Sequence, residues 1–274
     1  MPLPTLTVPL RGRGRPRTQA PKIVSTVVFS DVHVPETDWP SYHAMRHFIK
    51  DIQPQYIIIN GDLLDCQESS RFDKDPKRFG QTEEELLLAN RILDELAEAS
   101  PHSIIKFIAG NHCYRLTKRL WENPDLLSYM SPTRNANEII PRALSLDERG
   151  IEWFGYPEVY NHRGFLFTHG QAVGQHPASK ELSKYGMSGS SGHIHKFRYW
   201  ERRDRRGHIA WWSLGGLMSL QMDYMPSPDW QNGFGLLMQV ADTDIFNFTP
   251  IQINGGKFIY ENALYTPDGK FTAE

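Results

Sequence analysis

IVSTVVFSDVH, residues 23–33, joins an apolar run directly to two side chains that bind metals. Residues 23–30 are rich in β-branched side chains, which predicts a buried β-strand. Asp31 and His33 follow that run at once. Carboxylate oxygen and neutral imidazole nitrogen are ligands that borderline-hard divalent cations prefer. The stretch therefore predicts a metal-binding loop at the end of a strand.

Four further clusters of the same residue types follow apolar runs along the chain. They are Gly61-Asp62, Gly110-Asn111-His112, His169-Gly170 and Gly192-His193-Ile194-His195. Ligands of α/β sheets collect outside the carboxyl ends of strands, so we expect one site built from five loops. The candidate ligands are too many for one cation, but two cations sharing a carboxylate would use them all: Asp31, His33, Asp62, Asn111, His169, His193 and His195.

The pattern of elements predicts two parts. Strands at 23–30, 56–60 and 103–109 alternate with helices at 41–51 and 82–100, the second with a capping box starting at Thr82, and this order is typical of a parallel sheet. After residue 150 we predict short strands with one helix, near Pro177–Tyr185. The strands are predicted at 151–154, 159–160, 165–168, 187–191, 197–202, 209–214 and 234–240.

Composition is that of a globular protein, with 39% hydrophobic and 23% charged residues among 274. No apolar run approaches the ~20 residues that span a bilayer, and the Pro- and Arg-rich N-terminus does not read as a secretory signal. The two cysteines form no disulfide framework. We therefore expect no membrane association and a cytoplasmic location, in the host cell if the chain is phage-encoded.

The net charge of −2 is unevenly spread. Residues 1–21 lack hydrophobic periodicity, which predicts a disordered basic arm. Within it, Arg13, Arg15 and Arg17 alternate with glycine and proline and include the R-G-R-P core of an AT-hook, a segment that enters the minor groove of A·T-rich DNA. These arginines are candidate nucleic-acid contacts; the alternative is a solvated basic tail.

In order and spacing, the five clusters resemble the calcineurin-like metallophosphoesterase family, whose marks are D-x-H, G-D, G-N-H, a later His and G-H-x-H. The resemblance spans about residues 24–240. It implies an α/β fold of four layers, α/β/β/α, with two mixed sheets packed face to face and helices outside. We expect this domain at 22–244, with a possible cap at 116–150 and a β-rich C-terminal extension at 245–274.

The resemblance also divides the ligands between two cations that share Asp62: Asp31, His33 and His195 on one, and Asn111, His169 and His193 on the other. Two cations about 3.5–4 Å apart can hold a hydroxide between them and clamp both sides of a displacement at phosphorus. Residues two apart in extended backbone face the same way, which would explain the D-x-H and H-x-H spacings, although a turn at the end of a strand can override this. Mn²⁺ is the expected cation, with Fe²⁺, Zn²⁺ or Mg²⁺ as alternatives.

By the same resemblance, His112 is the general acid, or a charged stabiliser, at the leaving oxygen, and Asp65 is the carboxylate that orients it. The alternatives are a further metal ligand for His112 and a loop cap for Asp65. Two positions depart from the family pattern. Cys113 replaces the usual acidic residue after G-N-H, and Cys66 replaces the arginine that grips phosphate in phosphatase-type relatives. Arg115 is the preferred substitute for that arginine, ahead of Arg71 and Arg198.

The reaction predicted is hydrolysis of a phosphate ester, and no P-loop or G-x-S-x-G elbow is present to suggest another chemistry. Residues 189–195 and 230–234 resemble phosphoesterases of bacteriophages. Together with the basic arm, this favours a phosphodiesterase or nuclease that acts on nucleic acid. The alternatives are a small-molecule phosphomonoesterase or cyclic-nucleotide phosphodiesterase and, from another class, a non-catalytic DNA-binding protein with a degenerate site.

Overall fold

The computed structural model describes residues 21–71, 80–205, 207–221, 228–241 and 243–272. Residues 1–20 of the predicted arm, with Arg13, Arg15 and Arg17, lie outside the described residues. No helix in the described part of the chain is long and apolar enough to cross a bilayer.

Six strands form the first sheet. Four of them run parallel in the order β1 (Ile23–Phe29), β2 (Tyr56–Asn60), β3 (Ile104–Ile108) and β4 (Glu152–Phe154). Two more continue the sheet beyond β1 in antiparallel pairing, namely β10 (Asn232–Val240) and then β11 (Phe246–Ile253) at the edge.

Five strands form the second sheet. Its order is β5 (Tyr160–His162), β6 (Phe165–Thr168), β7 (Gly189–Ser191), β9 (Gly207–Ser213) and β8 (Arg198–Asp204). The three central strands are parallel, whereas β5 and β8 pair antiparallel at the edges. Both sheets are therefore mixed.

Six α-helices connect these strands. Their bounds are α1 (Trp39–Ile52), α2 (Thr82–Ala99), α3 (Asn111–Trp121), α4 (Pro124–Met130), α5 (Ile139–Ala143) and α6 (Pro177–Tyr185). Single-turn 3₁₀ helices lie at Gln67–Ser69 and Ala136–Glu138. Residues 116–150 are therefore mostly helical, and α3 begins at a candidate metal ligand.

Alternation along β1 shows how the layers form. Val27 and Phe29 face a core shared with α1 and α2, while Val28 faces the second sheet. On the far side of the second sheet, Leu182 of α6 packs with Trp211 of β9. The order is helices, sheet, sheet, helix, so the predicted four-layer α/β/β/α fold is confirmed.

A third, small sheet covers α1. It consists of β12 (Phe258–Tyr260), β13 (Ala263–Thr266) and β14 (Gly269–Thr272). The rings of Phe48 and Tyr265 pack 5.2 Å apart. The Tyr265 hydroxyl donates to the Asp51 carboxylate at 2.6 Å. These contacts bury the outer face of α1.

The capping-box prediction for α2 is wrong. The helix begins at Thr82, as predicted, but Gln81 is its N-cap and no side chain caps it. A capping box needs the glutamate to bond back to the N-cap amide. Glu85 is instead buried and accepts the backbone N–H of Cys66 at 3.0 Å. The glutamate thus ties the loop after β2 to α2.

Candidate metal centre

The five loops that carry the predicted ligands meet at one edge of the two sheets. Asp31, Asp62 and Asn111 follow the parallel strands β1, β2 and β3. His169 follows β6, and the segment 193–195 follows β7, so the second sheet contributes three imidazoles. Parallel strands end at the same edge, which is why ligands distant in sequence come together. The seven predicted ligands together are called the ligand cluster: Asp31, His33, Asp62, Asn111, His169, His193 and His195.

Asp31, His33 and His195 form the first group. One ligand atom from each lies within 4.8 Å of the others. His195 Nε2 is 3.2 Å and His33 Nε2 is 3.7 Å from Asp31 Oδ1. His33 Nδ1 is held 3.2 Å from the Asp65 carboxylate, which leaves Nε2 to face the cluster. That buried nitrogen has no hydrogen-bond partner among the described residues.

Asp62, His169 and His193 form the second group, again within 4.8 Å of one another. His169 Nε2 lies 2.9 Å from Asp62 Oδ2 and 3.0 Å from Asn111 Oδ1, so the amide belongs to this group. His169 Nδ1 donates to the backbone carbonyl of Asn60 at 3.0 Å. That bond fixes the tautomer and directs Nε2 at the cluster, the arrangement usual for histidines that bind metals.

Asp62 touches both groups. Its carboxylate belongs to the second group and also lies within 4.8 Å of ligand atoms of His33 and His112. The other oxygen, Oδ1, accepts the backbone N–H of His112 at 2.9 Å. Asp62 is almost fully buried, so an enclosed carboxylate lies between the two groups.

Left-handed backbone is concentrated in these loops. Five of the seven cluster residues have positive φ: Asp31 (54°), His33 (49°), Asp62 (48°), His193 (73°) and His195 (55°). Such conformations cost non-glycine residues on the order of 1 kcal/mol each and persist only when the surroundings enforce them. Extended backbone therefore does not explain the D-x-H and H-x-H spacings; the alternative, a turn at the strand end, aims these five residues.

Two motif glycines are explained by close approach. A Cβ on Gly110 would lie 2.0 Å from Asp62 Oδ1, and a Cβ on Gly61 would lie 2.1 Å from His169 Nδ1. Gly61 also has φ +97°. Both contacts are with side chains of the ligand cluster, so the packing of the cluster itself requires glycine at these positions.

Imidazoles balance the buried carboxylates. Burial alone would raise the pKa of Asp31 and Asp62, but neighbouring histidines hold both pKa values below the usual range. Burial alone would lower the pKa of His33, but the neighbouring carboxylates of Asp31 and Asp65 raise it to about 10. The negative charge of Asp62 likewise raises the pKa of His169 to about 9. Burial instead lowers the pKa of His193 to about 4.

The donor set fits divalent cations. Two carboxylates, one amide oxygen and four imidazoles are nitrogen and oxygen ligands without thiolate. The unpartnered Nε2 of His33 and the short approaches of imidazole nitrogens to Asp31 and Asp62 show donors converging on common points. Cations at those points would offset the buried negative charge that protonated histidines otherwise balance.

His112 stands at the rim of the cluster, where its imidazole contacts Asp65. Its Nδ1 lies 2.8 Å from Asp65 Oδ1 and 2.9 Å from the Asp65 carbonyl. Arg115 Nη2 donates to His112 Nε2 at 2.8 Å, so Nδ1 carries the proton. Burial lowers the pKa of His112. With both ring nitrogens engaged, the geometry favours a role toward substrate over one as a metal ligand.

The three arginines that could replace the phosphate-binding arginine of phosphatase-type relatives lie at different places relative to the site. Arg115 also reaches the Asp65 carbonyl with Nη1 at 3.2 Å. Arg115 and Arg71 line one cavity of about 400 Å³ together with the cluster residue Asn111. Arg198, in β8, donates to the carbonyl of Phe197 beside it and does not line that cavity. Arg115 therefore fits the role best.

Burial makes both cysteines poor nucleophiles. It raises the pKa of Cys113 to about 12 and raises that of Cys66 as well. Both are free thiols. The thiolate is the reactive form, so we interpret both cysteines as packed, unreactive thiols.

Sequence reasoning missed three residues that surround the site. The Asn60 carbonyl orients His169, and a backbone contact of this kind leaves no sequence signal. Lys118 and Tyr114 line the cavity with Asn111. Their signal was available, because they lie seven and three residues after Asn111, which is the spacing of one helix face.

The sequence profile of the calcineurin-like phosphoesterases matches residues 24–243. The chain belongs to this family. It is therefore a metal-dependent phosphoesterase, and the predicted recognition and enzyme class are confirmed. The family binds two divalent cations, and the ligand cluster offers groups that could hold them.

The chain is also similar to two phage proteins and to a solved structure. The chain is 28% identical over 265 residues to the Gene 54 protein of Mycobacterium phage D29, covering 87% of this chain and 97% of the relative. It is 27% identical over 266 residues to the Gene 54 protein of Mycobacterium phage L5, with the same coverages. A solved structure of Vacuolar Protein Sorting 29 from Cryptosporidium parvum aligns at 15% identity and TM-score 0.46, over 92% of this chain and 99% of the other.

Proposed function

We propose that this phosphoesterase is a two-metal phosphodiesterase that cleaves nucleic acid. The observation that carries the proposal is the ligand cluster, in which Asp62 lies between two groups of nitrogen and oxygen donors. When bound, two divalent cations would supply an activated water and positive charge for the phosphoryl oxygens. No nucleophilic side chain is then required.

His112 is the residue we assign to the leaving group. The Asp65 carboxylate holds the imidazole by Nδ1 and turns Nε2 toward Arg115 and the cavity. For this role Nε2 must release the Arg115 guanidinium and take up a proton from water, and that proton then passes to the leaving oxygen when the ester bond breaks. Arg115 would neutralise charge on the phosphate beside it, since its guanidinium is part of the same hydrogen-bonded set.

The nucleic-acid substrate is supported by charge. Residues 11–22 carry five basic side chains and no acidic one, although the chain as a whole has net charge −2. Within the described residues, α3 adds cations next to the site: Arg115, Lys118 and Arg119. A phosphodiester backbone is a polyanion that such a distribution attracts.

We assign Mn²⁺ as the first choice of cation. Mixed carboxylate, amide and imidazole donors without thiolate suit Mn²⁺ and also tolerate Fe²⁺, Zn²⁺ or Mg²⁺. The discriminating measurement is hydrolysis after chelation and reloading with each cation in turn. Recovery with Mg²⁺ alone would contradict the assignment, because imidazole-rich sites favour softer ions.

The substrate class is tested by a panel of phosphate esters with Mn²⁺. The set comprises p-nitrophenyl phosphate, its bis-ester, 2′,3′-cyclic nucleotides, and single- and double-stranded DNA. We expect the bis-ester and DNA to be cleaved faster than the monoester. Cleavage of monoester or cyclic nucleotide alone would replace the proposal by a small-molecule phosphatase or cyclic-nucleotide phosphodiesterase. Inactivity toward every ester with two cations bound would favour a non-catalytic binding protein.

Deletion of residues 1–21 tests the arm. If Arg13, Arg15 and Arg17 neutralise phosphates, the deletion weakens DNA binding and lowers the slope of log K against log salt by ~0.7–0.9 per lost contact. Hydrolysis of the bis-ester should persist, because the arm supplies no ligand-cluster residue. An unchanged salt slope would make the arm a passive tail and move our preference to small phosphoesters.

A further inference from the structure

A cavity of about 400 Å³ opens beside the ligand cluster, along one face of α3. Asn111, a cluster residue, lies at its inner end. Farther along the helix, Tyr114, Arg115 and Lys118 line it, and Tyr156 forms part of the opposite wall. The name "α3 cavity" is used for this space. If a substrate extends beyond the reacting phosphate on the side of His112, that part of the substrate would lie in this cavity.

Along α3, the side chains that line the cavity lie at increasing distances from the ligand cluster. Asn111, Arg115 and Lys118 recur at intervals of four and three, which places them on one face. Seven residues of α-helix correspond to roughly 10 Å, so the Lys118 backbone lies about that far from that of Asn111 along the axis. The Lys118 ammonium lies over the Tyr114 ring, so a group bound there is displaced along the helix from a phosphate held at the ligand cluster.

Charge in the α3 cavity is mostly positive. Among the described lining residues, Arg71, Arg115, Lys118 and Arg119 face a single carboxylate, that of Glu122. Glu122 pairs with Arg119 at 3.3 Å. No described carboxylate lies within ion-pair distance of Lys118, whose ammonium sits 4.9 Å from the Tyr114 ring centroid. An exposed ammonium at the end of a cationic row is suited to a second anion.

Aromatic surface accompanies the charge. The rings of Tyr114 and Tyr156 lie 5.3 Å apart, both half-buried, and both line the cavity. Aromatic rings next to cations are the combination that binds single-stranded nucleic acid, with bases on rings and phosphates on cations. A cavity for inorganic phosphate alone would not need these rings.

We infer that the α3 cavity binds the leaving nucleotide, with a further phosphate of that nucleotide at Lys118 and Arg119 and its base against Tyr114. This inference rests on the proposed phosphodiesterase activity. His112 marks the leaving side, and Arg115, which contacts it, lines the cavity. The inferred substrate is therefore a nucleic-acid strand, or a nucleotide, that carries a second phosphate beyond the bond that breaks.

Three thymidine dinucleotides test the inference: unphosphorylated, 5′-phosphorylated and 3′-phosphorylated. One of the two phosphorylated forms places its extra phosphate on the leaving nucleotide. We expect the wild-type protein, with Mn²⁺, to prefer that form over the unphosphorylated one in kcat/KM. Lys118→Gln should reduce this preference by roughly two- to fivefold, the range of a partly exposed ion pair. Adding Arg119→Gln should abolish it.

A matched control separates local binding from general attraction. Lys50→Gln removes the same charge from an exposed position on α1, away from the cavity, and should keep the preference. A second readout is binding of thymidine 3′,5′-bisphosphate by calorimetry with Mn²⁺ present. We expect Kd to rise in Lys118→Gln and to stay unchanged in Lys50→Gln.

Two results would overturn the inference without touching the proposed function. One is equal cleavage of all three dinucleotides by the wild-type protein. The other is a preference that survives in the Lys118→Gln/Arg119→Gln variant while bis-p-nitrophenyl phosphate is still hydrolysed. Failure of the proposed function would look different, because the bis-ester would then not be cleaved. In that case unchanged bisphosphate binding in Lys118→Gln would reject the cavity assignment independently.

Discussion

The ligand cluster and the α3 cavity lie side by side, yet they are built in opposite ways. Backbone turns with positive φ aim the cluster residues, and glycines without room for a Cβ keep them in contact. The cavity is lined largely by long side chains of α3, and Lys118 and Arg119 are exposed. The cluster is thus fixed by the fold, whereas the cavity depends on side chains that can change without disturbing it.

The difference indicates that the reaction depends on the ligand cluster and the choice of substrate on the α3 cavity. The cluster offers groups that could hold metal ions, and metal ions at such a site would act on the phosphoryl group alone. Groups on α3 can recognise what is attached to that phosphate. Substitutions in the cluster should therefore affect every substrate, while those in the cavity should affect substrates unequally.

The largest effect is expected for Asp62→Asn. The variant loses the charge that would offset two cations, so hydrolysis of every ester should fall by roughly 10³-fold or more, together with metal content. Asp147→Asn, an exposed aspartate, is the matched control and should behave as wild type. Retention of full activity and both cations in Asp62→Asn would sink the shared-ligand assignment.

His112→Ala should come next. We expect both cations to remain bound and turnover to fall ~10²–10⁴-fold, the range for general acid catalysis. The loss should be smaller for p-nitrophenyl esters, whose leaving group needs little protonation, than for dinucleotides. Equal losses for good and poor leaving groups would argue for charge stabilisation in place of proton donation.

Gly110→Ala tests whether close packing holds the cluster. The added Cβ would meet Asp62 Oδ1 at 2.0 Å and push the carboxylate away. Metal affinity should fall about 10–100-fold, as for other changes in the support of metal ligands. In Gly155→Ala the Cβ meets only the end of the Glu158 side chain, at 3.3 Å, so this control should retain affinity. Similar behaviour of the two variants would refute the packing argument.

Arg115→Gln, at the boundary between the two regions, should have the smallest effect. It removes the donor to His112 Nε2 and one charge from the cavity. We expect kcat/KM to fall roughly tenfold, the equivalent of one charged hydrogen bond. Metal content should be unaffected. A loss of bound metal would mean that Arg115 supports the cluster and belongs with it.

The two regions also differ in how far the sequence predicts them. Apolar runs ending at Asp31, Asp62 and Asn111 reveal parallel strands, and parallel strands must end at one edge. The left-handed turns do not follow from the pattern, because D-x-H is equally compatible with extended backbone. The α3 cavity depends on how that helix sits against Tyr156, a contact 42 residues away in sequence that no local motif records.

In other parts of the chain, too, tertiary contacts determine structure that the sequence pattern alone does not predict. Thr82-Glu83-Glu84-Glu85 satisfies the capping-box pattern, yet Glu85 bonds to Cys66 of a distant loop, and tertiary contact overrides the local signal. The domain boundary at 244 stays a prediction. Strand β11 lies beyond it and pairs with β10 in the first sheet, whereas β12–β14 form the sheet that covers α1.

Metal analysis of the purified chain tests the central claim most directly. The wild-type protein, loaded with Mn²⁺ and freed of excess, should contain two cations per chain by elemental analysis. His112→Ala should also contain two, while Asp62→Asn should contain fewer. A single cation in the wild-type protein, or two in Asp62→Asn, would contradict an Asp62 carboxylate shared between two metals.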